Sequence, residues 1–254
     1  MNNDRLARVW GLVAEQTAGR GDRVAARDVC VAAVAAVEVT GAWLSTASGS
    51  GAGHLMQVTN AVSEQLAELQ LTMGEGPSLE ASASGGPVLA SDLSDGESWR
   101  RWPAFAPAAC QAGAAAVFAF PLAIGAIQAG ALGLYRDRAG ALSDAQFGDV
   151  LVFADIAALL LLDAQPQPKP QWPGGYGPET WPGGQTADLA FRRAEIDQAT
   201  GMLTEQLGVS ITEAFLRLRA YAYANDLRLT DVASDIVTRR LRLHPASPSL
   251  DGGP

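Results

Sequence analysis

The chain has 254 residues, more than one average domain needs, with 48% apolar and 18% charged side chains, so a sizeable core is within reach and wholesale disorder is excluded. A formal net charge of -9 excludes a general nucleic-acid coat or membrane-surface binder and confines any polyanion site to a local patch. Two cysteines (Cys30, Cys110) and two histidines (His54, His244) are too few for a disulfide scaffold or a His-based metal or haem site, and they suit a reducing cytoplasm.

Residues 1–19 read as an amphipathic helical extension, because Asp4, Arg5 and Arg8 leave no continuous apolar run for a signal peptide. A helical stretch over about 22–38 follows, in which Cys30 reads as a small buried hydrophobe. Residues 42–47 form a strand, joined by a Gly/Ser turn to a second strand in HLMQVTN. AVSEQLAELQ is helical, and TMGEGPSLEASASGGP is a loop with at most one helical turn. PVLASDL is a strand, and SWRRWPAFAPAACQAG reads as a helix with a proline-marked start. Residues 112–135 are long enough to span a bilayer, with Gln128 as the only strongly polar side chain. Pro121, Gly125, Gly130 and Gly133 interrupt that run and divide it into two strand-length pieces, which predicts a buried β-hairpin instead. From Ser143 to Asp163, Phe147, Val150, Leu151 and Ala154 recur at helical spacing. The order predicts an α+β domain over residues 20–163, an antiparallel sheet with helices on one face and terminal helices on the other.

Residues 164–187 contain six prolines and five glycines and read as a linker, with Trp-Pro-Gly-Gly units beginning at Trp172 and Trp181. Beyond it the charge changes character. Residues 188–244 hold eight arginines against eight acids, so apart from Asp251 in the tail the excess of acid lies before them. The segment nearest to neutrality is the better candidate for a polyanion. Its pattern is three helices. Leu189, Ile196, Ala199, Leu203 and Leu207 face inward on the first, which Gly208 ends. Ser210 and Glu213 form a capping box for the second, with Ile211, Ala214, Phe215, Leu218 and Ala222 inward. Thr230 or Asp231 opens the third, with Val232, Ala233, Ile236, Val237 and Leu241 inward. An all-α three-helix bundle over 188–243 follows, with a flexible tail at 244–254.

Residues 193–237 resemble the ANTAR domain, a three-helix RNA-binding module of bacterial transcription antiterminators. The matching elements are Ile196, Gln198-Ala199-x-Gly201-Met202-Leu203, Gly208-Val209-Ser210, Glu213-Ala214-Phe215, Leu218-Arg219 and Asp231-Val232-Ala233. The part before the linker is similar to GAF domains of actinobacterial proteins, on GEGPSLEA (74–81), PVLASDL (87–93), RWPAF (101–105) and the 116–142 block. The resemblance implies a GAF-like sensor coupled to a module, often dimeric, that binds paired hairpins in leader transcripts. Two departures matter. Relatives commonly carry Lys where this chain has Thr200, and many carry Cys after Gly-Glu-Gly-Pro where it has Ser78.

Hairpin loops are read by stacking and base-edge hydrogen bonds, with cations on flanking phosphates. Arg193, Gln198, Thr200, Arg217, Arg219, Arg239 and Arg240 are therefore the expected RNA-binding residues, with Arg242 beside them. Arg217 also sits four residues after Glu213, where a surface ion pair is the ordinary explanation. Leu216, Ala220 and Tyr223 form a second apolar stripe on the second helix, expected to face a partner: a second subunit, the sensor domain or a loop base. Gly201 in a helix interior points to close backbone approach. In the sensor domain Glu75, Ser78, Trp99 and Trp102 are the candidate ligand-binding residues, against the alternative of an empty domain that dimerises through its terminal helices.

No cofactor or metal is expected. Nor is catalysis, since G-x-S-x-G, Walker and G-x-G-x-x-G motifs are missing from the sequence. The acidic and apolar start of the third helix, TDVASDIV, disfavours a DNA-reading helix-turn-helix. The expectation is a cytoplasmic, homodimeric antitermination regulator with no membrane partner. The alternative is a protein-interaction module that has lost RNA binding.

Overall fold

The computed structural model describes residues 3–18, 23–46, 54–125, 127–163 and 184–243. Trp172, Trp181 and the tail from His244 lie outside the described residues. The chain divides into two compact units, residues 1–191 and 192–254.

In the first unit five strands form one antiparallel sheet: β1 (Gly41–Thr46), β2 (His54–Val58), β3 (Val88–Ala90), β4 (Ala116–Ile124) and β5 (Ile127–Arg136), in the spatial order β2-β1-β5-β4-β3. Both faces are covered, which explains why 112–135 is apolar without alternation. Phe118, Phe120, Leu122, Leu132 and Leu134 enter one core, while Val117, Ala119 and Tyr135 enter the other. The predicted hairpin is present, β4 and β5 pairing from Ala116–Arg136 to Ile124–Ile127.

The first face is covered by α1 (Asn3–Glu15), α2 (Ala26–Val37) and α7 (Asp144–Asp163), which bury Val9, Val13, Val29, Val150, Phe153 and Ile156 against it. A reciprocal cap starts α7: the Gln146 amide donates to Ser143 Oγ (3.3 Å) and the Ser143 amide to Gln146 Oε1 (2.9 Å). α1 is held to α7 by Arg5 and Arg8, both paired with the buried carboxylate of Asp149. By length and composition α7 is apolar enough to cross a bilayer, and half of its apolar stretch is buried inside this unit.

The other face carries α3 (Ala61–Met73), α4 (Pro77–Ser84), α5 (Gly96–Arg101) and α6 (Phe105–Gln111). Two of these differ from the sequence expectation. The Gly/Ser/Pro-rich stretch after Met73 is a two-turn helix rather than a loop, because Pro77 occupies its first turn, where no amide donor is needed, and Ala81 is fully buried. The single helix expected over 98–113 is two helices, broken at Trp102, whose extended φ of -135° suits a residue before proline.

Cys30 lies in the first core, and burial pushes its thiol from 9.0 up to about 12. A raised thiol pKa means that the unfolded chain ionises first. The contribution of this burial to stability is therefore complete below about pH 9 and declines as pH rises toward 12. Cys30 should resist alkylation in the native protein and react on unfolding. Modification of native Cys30 at neutral pH would contradict this placement.

The second unit is helical: α8 (Gly184–Leu207) from Arg192 onward, α9 (Ile211–Ala224) and α10 (Leu229–Val237). α8 begins inside the segment read as linker. Ser210 caps α9, its Oγ accepting from the Glu213 amide (3.2 Å). Ile196, Ala199, Leu203, Ala214, Phe215, Leu218, Ala222, Val232, Ala233 and Ile236 are buried. Ile211, expected in this core, is 54% exposed. It is the first residue of α9, and the buried stripe begins only with Ala214. Val237 and Leu241 are half-buried.

Candidate nucleic-acid interface and sensor-domain residues

The outward face of α8 repeats at the helical period. Asp197, Gln198, Gly201 and Glu205 are exposed, opposite the buried Ile196, Ala199 and Leu203. Its two charged side chains, Asp197 and Glu205, are both acidic. Gln198 therefore sits among acids. Thr200, expected among the RNA contacts, is only 5% exposed, and its hydroxyl donates to the carbonyl of Ile196 at 2.7 Å. The side chain is satisfied by its own helix and presents nothing to a nucleic acid.

A Cβ added at Gly201 would meet nothing within 4 Å, so packing within the described residues does not require glycine. Gly201→Ala should raise the stability of the helical unit by about 1 kcal/mol, read from its urea midpoint. An unchanged or lower midpoint would show a constraint that the geometry does not contain.

The cations gather elsewhere. α10 ends at Val237 and the backbone turns back on itself, the amides of Arg240 and Leu241 both donating to the carbonyl of Asp235 (2.8 and 3.0 Å). Arg239 takes a left-handed conformation, φ 61°. The turn is anchored at its far end, where Leu243 is buried and its carbonyl accepts from Gln206 Nε2 of α8. Arg239, Arg240 and Arg242 are exposed on this anchored turn. They lie just past α10 rather than on it, where the helix C-terminus still favours positive charge. Arg240 Nε pairs with Asp235 at 2.8 Å, whereas Arg239 and Arg242 have no side-chain partner among the described residues.

The remaining expected contacts are dispersed. Arg193 is half-buried on α8. Arg217 is in the i,i+4 pair with Glu213 (2.9 Å). Arg219 is half-buried on α9 with no side-chain partner among the described residues. Leu216, Ala220 and Tyr223 are exposed together on one face of α9, Leu216 at 47% and Tyr223 at 56%.

In the first unit the four candidate ligand residues do different jobs. Glu75 accepts from the amides of Ala104 (2.7 Å) and Phe105 (2.8 Å), so its carboxylate caps the start of α6. Ser78 is buried. Its amide donates to Gln70 Oε1 at 2.7 Å, and its hydroxyl has no hydrogen-bond partner among the described residues. Trp102 is a core residue, edge-on to Phe105 with ring centroids 6.5 Å apart, and the Arg101 guanidinium lies over its ring. Hydrogen bonding and charge from Arg101 hold the Glu80 carboxyl below its usual range. Trp99 is half exposed. Sequence alone missed the helix-capping use of Glu75, whose partners lie about 30 positions along the chain.

The ANTAR domain family matches residues 190–237. Among solved structures, the chain is similar to the GAF domain of a phosphoenolpyruvate-protein phosphotransferase from Coxiella burnetii, at 15% identity and a TM-score of 0.49, covering 65% of this chain and 96% of that one. It is also similar to the GAF-B domain of DevS from Mycobacterium smegmatis, at 20% identity and 0.40, covering 54% and 90%. A third likeness is to a type II free methionine-R-sulfoxide reductase from Thermoplasma acidophilum, at 14% and 0.42, covering 54% and 89%. No curated protein matches the chain. At these scores the α+β architecture of the first unit rests on its own sheet order and layers.

Proposed function

We propose that this chain is a signal-responsive regulator whose ANTAR domain binds paired hairpins in leader transcripts and controls transcription termination in the cytoplasm. The observation that carries this reading is the ANTAR match over residues 190–237. The exposed turn at Arg239, Arg240 and Arg242 supports it as the phosphate-binding element: three cations on a backbone held at both ends, in a unit without net charge excess. Arg193, Arg217 and Arg219 are secondary contacts in this reading. The face of α8 around Gln198 takes no part. The GAF-like unit receives the signal, and Ser78, with its buried unpartnered hydroxyl, is its best candidate for a small-molecule contact. The active form is a homodimer that presents two helical units to two hairpins.

Binding of the full-length protein to a two-hairpin leader RNA, measured across a salt series against a scrambled RNA, tests the reading. Preference for the hairpins with affinity that falls as salt rises is the expected result. Equal binding to both RNAs by folded protein would overturn it. That outcome would favour the second reading, a protein-interaction module without RNA binding, to which the acidic face of α8 lends support.

A further inference from the structure

We infer that the exposed face of α7 is the docking surface for the segment that follows it, residues 165–172, which folds back along the helix and sets Lys169 against Asp155. Leu151, Asp155, Leu159 and Leu162 are spaced four, four and three residues apart and share one exposed face of α7. The three leucines are 40%, 58% and 52% exposed, while Val152, Phe153, Ile156 and Ala157 enter the core of the first unit. Asp155 has no side-chain partner among the described residues, and partial desolvation by its surroundings holds its carboxyl above the ordinary range.

Chain length and charge select the occupant. Twenty residues, 164–183, separate α7 from α8 and lie outside the described residues. They begin Ala164-Gln165-Pro166-Gln167-Pro168-Lys169-Pro170-Gln171-Trp172, and Lys169 is the only lysine in the chain. Alternate prolines restrict both themselves and the residues before them to extended backbone, so this run is predicted as polyproline II. With three residues per turn, Pro166, Lys169 and Trp172 fall on one edge. The register then matches α7. From Asp163 back to Asp155 the helix rises about 12 Å at 1.5 Å per residue. From a reversal at Gln165 to Lys169 the extended run covers about 12 Å at 3.1 Å per residue. Pro166 falls beside Leu162 and Leu159, Lys169 beside Asp155, and Trp172, one turn on, over Leu151. The prolines order the run beforehand, so docking loses little backbone entropy.

Other occupants lack the cation. α7 has four carboxylates and no Lys or Arg, so the α7 of a second copy would set acid against Asp155. Nucleic acid or an anionic membrane would bring further negative charge. Docking leaves residues 173–183 to reach α8 and so shortens the tether between the two units. The inference holds whether or not the chain binds hairpins.

Zero-length carbodiimide cross-linking of the full-length protein tests it, since Lys169 is the only side-chain amine able to form an amide. Mass spectrometry of the digested monomer should find Lys169 joined to Asp155 ahead of every other carboxylate. In an equal mixture of isotope-labelled and unlabelled protein, each joined peptide pair should come from one chain. Leu151→Gln with Leu159→Gln, or Trp172→Ser alone, leaves both charges in place and should cut the rate of this cross-link several-fold. Circular dichroism checks folding, and the wild-type measurement depends on none of the variants. Absence of the Asp155 cross-link in folded wild type, Lys169 joined to scattered carboxylates without preference, pairs of mixed label, or a rate indifferent to these replacements overturns the inference.

Discussion

Replacing Arg239, Arg240 and Arg242 together by alanine should weaken hairpin binding by on the order of a hundredfold at moderate salt, taking about 1 kcal/mol per lost charged contact. It should also lower the slope of affinity against salt by about 2, since each phosphate contact releases roughly 0.7–0.9 counterions. Stability should change little, because the three side chains are exposed and only Arg240 has a partner, Asp235. Gln198→Ala on the acidic face of α8 is the contrast and should leave affinity unchanged. Full affinity in the triple variant would remove the 239–242 turn from the interface. A large loss in Gln198→Ala would move the interface onto α8.

Gly130→Ala should destabilise the first unit by about 3–5 kcal/mol, the range of severe core disruptions. Gly130 lies on β5 opposite Thr46 of β1 with φ 147°, a conformation that side chains rarely adopt. A Cβ there would overlap the carbonyl oxygen of Ser45, a backbone atom that cannot swing aside. The pairing of β1 with β5, next to the centre of the sheet, would have to open. Denaturant unfolding followed by the fluorescence of the buried Trp43 reads the change. A loss below about 1 kcal/mol would mean that the β1–β5 ladder yields locally. Gly201→Ala carries the opposite sign for the opposite reason, since its surroundings are empty.

Much of this architecture was legible in the sequence because its signals are local. Side-chain period distinguishes strand from helix, and Ser210 announces a helix start through a hydrogen bond that spans three residues. The three-helix unit and its family resemblance rest on spacings inside about 45 residues, and the family match at 190–237 falls on the same stretch. The hairpin over 112–135 was legible for another reason: proline and glycine mark breaks whatever surrounds them.

What the sequence by itself determined was therefore most of the elements, though not α4 or the break between α5 and α6, together with the α+β and all-α fold classes and the family resemblance over 193–237. Only the tertiary structure decided which side chains remain for function, because burial and hydrogen bonding join residues far apart in the chain. Glu75 looked like a ligand group until the amides of Ala104 and Phe105 took its carboxylate. Thr200 looked like an RNA contact, but its side chain turns inward and bonds to Ile196, while the glycine beside it stays outside. Ile211 fits the apolar stripe of α9, yet it sits in the open first turn ahead of the core. The arginines of 239–242 read as the end of a helix; they stand on a turn because Leu243 and Gln206 hold the chain back against the unit. In each case period sets a direction within one element, and only packing against the others decides whether that direction meets solvent or protein.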